Sequence, residues 1–248
     1  MEIKKECVKA LSNEIHSLKE IHLSVTKIQH GINTENKGWI DYFPSQFVYS
    51  FFTFNTLYNI NWRESLRYGI WQSYIKTQEP NSKSCRIYEE TKQKYYTNVC
   101  LGKNNEFAEF FRPLFFKIVY HGYSPELIRT VLKGVKIDQS DNGRIDENKK
   151  TSFIMQFEEL YLPTGFTQEA IYNVIHFLYL VRCNLFHGTK DWKEIQNLSQ
   201  QIRFRIYANI MTAINQMVFS MIDFSTNKAQ LLRDPSIYYD RVIRELFG

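Results

Sequence analysis

The chain has 248 residues, of which 44% are hydrophobic and 16% aromatic, with a formal charge of +5 and a pI of about 8.9. That length buries a substantial core, whereas no apolar run reaches the roughly 18 to 20 residues of a membrane span and Met1-Glu2-Ile3-Lys4-Lys5-Glu6 lacks the apolar core of a signal peptide. The expectation is a folded cytoplasmic protein with no membrane contact, whose modest positive charge permits a polyanionic partner without requiring one.

Apolar residues recur at three- and four-residue intervals and strict alternation is rare, so the predicted class is all-α. Val8, Leu11, Ile15, Leu18, Ile21, Val25 and Ile28 trace a first helix ending near Gly31. A second opens at Pro44 and runs through Phe47 to Tyr58, apolar on nearly every side, which places it in the middle of a bundle. The polar stretch from Thr77 to Ser84, with Pro80, reads as a loop before helices at 86–100 and 105–120. Ser124-Pro125-Glu126 supplies an N-cap, a proline at the first helical position and an early acid for a short helix.

Lys136 to Lys150 is rich in Asp, Asn and Lys and reads as exposed. Within it, Asp138 to Lys149 fits much of a calcium loop, but Lys149 stands where a bidentate glutamate completes the coordination, which favours a plain Asx- and Gly-rich turn. A helix at 151–161 precedes the turn Leu162-Pro163-Thr164-Gly165, and Thr167 caps the helix that follows. The last long helix begins near Asp191 or Trp192 and continues to about Asp223, with Ile195, Leu198, Ile202, Ile206 and Ile210 along one face. Asp234-Pro235 breaks the chain before a C-terminal helix carrying Tyr238, Val242, Ile243 and Leu246.

The chemistry concentrates in Arg182-Cys183-Asn184-Leu185-Phe186-His187-Gly188, at the end of the apolar helix that starts near Ala170. Arginine offers a planar, permanently charged fork for a phosphate, and histidine exchanges protons near neutral pH. Within an unbroken helix, residues five apart are turned roughly 140° from one another, so the two act together only if the helix stops between them. Gly188 and Thr189-Lys190-Asp191 provide such a stop. Asn184 can orient His187, donate to the phosphate or satisfy freed carbonyls, and Lys190 adds charge. An arginine near a helix C-terminus also serves the helix dipole, so the spacing alone does not fix a function.

Arg182 to Gly188 resembles the Arg-x4-6-His motif of HEPN domains, and "RCNLFHG" is most similar to the Apea-like branch. Phe51-Phe52-Thr53-Phe54-Asn55-Thr56-Leu57-Tyr58 is similar to the aromatic, x, Phe-Asn-x-Leu-Tyr helix of the same branch. The resemblance covers the bundle and not the middle of the chain. It implies one HEPN-like domain over residues 1–248, built on the helices at 44–60, 167–183 and 192–223 with the first helix as a fourth member, and 77–150 as a helical insertion. It further implies a metal-independent endoribonuclease without cofactors, acting as a homodimer on RNA in toxin or antiviral defence, with an antitoxin or defence-system protein as a further partner. Arg182 and His187 are then catalytic, and Asn184 and Lys190 bind substrate. The alternative is a HEPN module that binds RNA or protein without cutting.

Other features carry less. Cys7, Cys85, Cys100 and Cys183 are scattered with no Cys-x-x-Cys pair, which argues against a zinc site and a disulfide framework. His16, His22, His30, His121 and His176 show no ligand spacing; His176 belongs to an apolar helix and His16 and His22 to the exposed side of the first. Lys92 to Tyr96 and Arg203 to Tyr207 interleave cations with rings as nucleic-acid contacts do, although a solvated helix face with buried rings explains either one taken alone.

Overall fold

A computed structural model describes residues 19–20, 22–23, 43–59, 93–94, 96–98, 100–102, 105–137, 151–162, 164–186 and 197–248. The elements are α1 (Phe43–Asn59), α2 (Asn105–Val119), α3 (Pro125–Leu132), β1 (Lys136–Ile137), β2 (Thr151–Ser152), α4 (Phe153–Glu159), α5 (Gln168–Phe186), α6 (Leu198–Arg233) and α7 (Pro235–Phe247). The class is all-α; the two strands are two residues each and pair antiparallel, Lys136 with Ser152 and Ile137 with Thr151. Residues 19–20, 22–23, 93–94, 96–98 and 100 are helical too. The loop at 77–84, the calcium-like turn at 138–149 and the rest of the first helix lie outside the described residues. Among those residues, no helix is long and apolar enough to cross a membrane.

The sequence pattern puts α1 at the centre, but the structure gives that place to α6. Every residue from Ile206 to Met221 is buried, with α1 and α2 packed along the helix, while α1 turns Tyr49 and Phe52 outward at 51% and 44% exposure. Asn209, Thr212, Asn215, Gln216 and Ser220 are among those buried positions, so polarity conceals a helix enclosed on all sides. Their amide nitrogens are bonded: Asn215 Nδ2 donates to the Ser50 carbonyl at 2.9 Å, and Gln216 Nε2 to Ser220 Oγ at 3.2 Å. Burying an amide without such partners costs about 1–3 kcal/mol, so these bonds are a condition of the central position.

α6 starts at Leu198, where the Asn197 side chain accepts from the Ser199 amide at 3.0 Å; it passes the expected stop at Asp223, kinks at Asn227, where the backbone leaves helical geometry (φ −128°, ψ 29°), and continues to Arg233. Leu198, expected on the buried face, is 66% exposed because it opens the first turn. The Asp234-Pro235 break and α7 follow as read from the sequence, with Tyr238, Val242 and Leu246 buried.

α2 runs antiparallel to α6. Phe107 meets Phe224 at 5.5 Å, and toward the other end Asn209 Nδ2 donates to the carbonyls of Val119 and His121 at 3.3 and 3.2 Å. Phe107, Phe111, Leu114 and Phe115 of α2 share one apolar core with Phe47, Phe51 and Phe54 of α1. α3 begins as its sequence signals, with Ser124 Oγ accepting from the Leu127 amide at 3.2 Å.

His22 corrects the reading of the first helix. It is 2% exposed and stacks on Phe219, because at this level the side it presents meets α6 and not water. Lys19 reaches Glu245 of α7 at 3.5 Å.

Candidate functional site

α5 carries Arg182, and its course decides where that residue stands. Thr167 Oγ1 accepts from the Ala170 amide at 3.2 Å and caps the helix as expected. Phe166, just before it, packs on Phe111 and Phe115 of α2 at 6.3 and 5.3 Å, whereas Phe177 stacks on Phe153 at 3.9 Å and meets Tyr207 at 6.2 Å. Because α2 is antiparallel to α6, these contacts make α5 antiparallel to α6 as well. The residues beyond Phe177 therefore head toward the start of α6.

The sequence predicts an end to this helix by Cys183, but it runs to Phe186, since Val181 and Leu185 keep packing against the core. Asn184, read as part of a turn, is inside α5. Arg182 is half-buried, and its NH1 lies 4.0 Å from the sulfur of Cys183, a contact at the limit for a hydrogen bond. His187, Gly188 and Lys190 lie outside the described residues.

Among the described residues, the segments that pack toward this end are basic. The segments 129–137, 176–186 and 197–207 contain Arg129, Lys133, Lys136, Arg182, Arg203 and Arg205 and no aspartate or glutamate. They converge because β1 packs beside α5, and the Phe153 amide, in the residue that stacks on Phe177, donates to the Val135 carbonyl at 3.2 Å. Arg203 Nε in turn donates to the Val131 carbonyl at 3.3 Å. Arg129 is engaged elsewhere, 3.9 Å from Glu158 and 5.3 Å over the Tyr161 ring.

No known family model, curated protein or solved structure matches this chain. Its function has to be read from the local chemistry.

Two interleaved segments separate cleanly. Tyr96, Phe204 and Tyr207 are buried, so their rings cannot stack on bases; Tyr96 donates to the Ile214 carbonyl at 2.6 Å. The cations stay outside. Lys94 Nζ sits 4.8 Å over Tyr172, and Arg205 lies 5.2 Å over Tyr123, whose hydroxyl pKa is raised by burial against the opposing pull of that arginine. Arg203 and Arg205 thus stay half-exposed while the residues beside them hold the core. Lys133 escaped the sequence reading; the signal for it is the absence of acids from 129–137.

The "Phe-Asn-x-Leu-Tyr" stretch also has a visible job. Tyr58 donates to Asn55 Oδ1 at 2.6 Å, and Phe54 packs edge-on to Tyr58 and Tyr96 at 4.9 and 5.1 Å. It organises the core beneath α6 and Tyr96.

A cleft of about 810 Å³ opens elsewhere, lined by Lys94, Arg112, Glu109, Glu169, Tyr172 and Asn173 among others. Its two cations are matched by two carboxylates, and Arg112 NH1 is already held by the Leu162 carbonyl at 3.1 Å. From Asn173 to Arg182 the helix rises roughly 14 Å, so this cleft belongs to the other end of α5.

Proposed function

We propose that this chain is an endoribonuclease of the HEPN type, acting as a homodimer without a metal in the reaction. One observation supports the reading: Arg182 stands on α5, half-buried, close to basic segments that contain no aspartate or glutamate. RNA brings both the polyanion that suits this charge and the 2′-hydroxyl that serves as internal nucleophile.

In the proposed reaction the Arg182 fork holds the non-bridging oxygens of the scissile phosphate and stabilises the charge that grows there. His187 takes the 2′-hydroxyl proton as the O2′–P bond forms. As the P–O5′ bond breaks, the leaving oxygen receives a proton from the imidazolium of the second copy. The products are a 2′,3′-cyclic phosphate and a 5′-hydroxyl, and neither oxidant nor cofactor is consumed. Asn184 and Lys190 contribute to holding the strand.

The test is cleavage of a labelled single-stranded RNA by parent, Arg182→Ala and His187→Ala, with and without EDTA. The expected result is EDTA-resistant cleavage by the parent that leaves cyclic phosphate ends, and a drop of at least about a hundredfold in each variant. A 3′-hydroxyl product, or variants as active as the parent, overturns the proposal. Undetectable cleavage by a parent that still binds RNA leaves a non-catalytic binding module.

A further inference from the structure

We infer that the cleft at the start of α5 is a binding site for a short peptide with free ends, its ammonium received by Glu109 and Glu169 and its carboxylate by Arg112 and Lys94. This does not depend on the reading of the chain as a ribonuclease, and it concerns the end of α5 remote from Arg182.

Two helices supply most of the lining. On α2, Glu109 lies four residues beyond Asn105 and Arg112 three beyond Glu109; on α5, Tyr172 and Asn173 lie three and four beyond Glu169. At those intervals each helix turns one stripe of side chains to the cleft. Lys94 lines it from outside the two helices.

Four charges thus border one space without neutralising one another. Among the described residues, none of Lys94, Glu109, Arg112 and Glu169 forms an ion pair. Neutral groups hold the two cations instead: Lys94 Nζ lies 4.8 Å over the Tyr172 ring, and Arg112 NH1 donates to the Leu162 carbonyl at 3.1 Å. A ligand of one sign would meet two like charges here along with two opposite ones. A zwitterion complements all four.

The cationic side is prepared for a carboxylate. Arg112 is half-buried and anchored through NH1, so it has less rotamer freedom to lose, while the rest of its fork can still donate. Lys94 is exposed, and a contact between an exposed lysine and a ring is weak enough to yield to a carboxylate.

Size and hydrogen bonding select a peptide over a free amino acid. The cleft holds about 810 Å³, in the upper part of the roughly 300 to 1,000 Å³ common for small-molecule sites. Asn105, Gln168 and Asn173 bring carboxamides to it, and each offers both a donor and an acceptor, as the N–H and C=O of a peptide link require. A nucleotide is the competing ligand. Its phosphate suits the cations, but its charge would face both glutamates and its base would need the ring that Lys94 covers.

The experiment is calorimetric titration of the full-length chain with trialanine, trialanine amide, N-acetyl-trialanine and adenosine monophosphate. Trialanine is a sufficient probe because the ends and links of the peptide are recognised, not its side chains. It is expected to bind, and loss of either end charge to weaken binding about tenfold. The double variant Lys94→Met, Arg112→Gln is expected to stop distinguishing trialanine from its amide while still distinguishing it from the acetylated form; Glu109→Gln with Glu169→Gln is expected to do the reverse. Misfolding does not produce that crossed pattern. Glu126→Gln, on α3, is expected to bind as the parent does. A parent that fails to bind trialanine at millimolar concentrations, or binds it equally well with both ends blocked, overturns the inference. Tighter binding of adenosine monophosphate than of trialanine overturns the choice of a peptide.

Discussion

The imidazole of His22 lies stacked on the ring of Phe219, with 5.6 Å between centroids and 25° between planes. Burial, reinforced by the charge of Lys19 and opposed by a hydrogen bond with Gln216, lowers its pKa from an ordinary 6.5 to about 3. The folded protein therefore refuses a proton that the unfolded chain accepts.

Stability should fall with acidification from this histidine alone. Between pH 6.5 and about 3 the unfolded state binds one proton more than the native state, so the slope is up to about 1.36 kcal/mol per pH unit and vanishes above pH 6.5. At pH 5 the loss relative to pH 7.5 is about 2 kcal/mol. Urea unfolding of the parent and of His22→Gln at both pH values measures it. The variant is expected to lose that part of the dependence, and an identical pH profile would place His22 in water.

Gly165 is fixed by lack of space, not by its own dihedral angles. A Cβ built there would meet the Glu159 carbonyl oxygen at 1.8 Å and the Glu159 carbonyl carbon at 2.9 Å, and the Gly165 amide already donates to the Leu162 carbonyl at 2.9 Å. Since the opposing atoms are backbone, the turn that launches α5 must open. Gly165→Ala is expected to cost at least about 2 kcal/mol, roughly 4–8 °C in Tm for a chain of this size. Gly134→Ala, whose Cβ meets nothing closer than 3.9 Å, is expected to stay within about 0.5 kcal/mol of the parent. Calorimetry of the two variants side by side decides the point.

Asn209 joins α6 to the end of α2 through one amide bonded to two carbonyls. Asn209→Leu keeps a similar volume but leaves the buried Val119 carbonyl without that donor, and is expected to destabilise by about 1–3 kcal/mol. If the central amides of α6 were incidental, the leucine variant would gain stability through its apolar surface instead. Chemical denaturation distinguishes the two outcomes by sign.

What could be read from the sequence follows from the range of the forces involved. The start of α5 was legible because Thr167 bonds three residues on, and that of α3 because Ser124 does the same; both are local decisions. The central role of α6 was not, because the partners of Asn209 and Asn215 are 88 to 165 residues distant, and without those partners an amide on a helix looks like a solvent face. The burial of His22 was hidden for the same reason, and β1 with β2 is too short to show any period. At the candidate site, Arg182 was legible as a type of residue at a helix end. The basic segments were only half legible, since Arg203 meets Val131 across 72 residues while the acid-free runs are plain in the sequence itself.

The dimeric form of the proposed site makes a quantitative demand. If each scissile phosphate needs His187 from both copies, one as base and one as acid, a pair with a single histidine lacks one proton step. When parent and His187→Ala copies assemble at random from equal amounts, activity is expected to fall to about a quarter of the parent's, because only parent pairs keep both groups. A site complete within one chain would retain about half, whatever the pairing. Co-expression with distinguishable tags, followed by isolation of the mixed pair, sharpens the contrast: the mixed species should be nearly inactive while binding RNA normally. A mixed pair with half the parent's turnover would return both proton steps to a single chain and require a second proton donor besides His187.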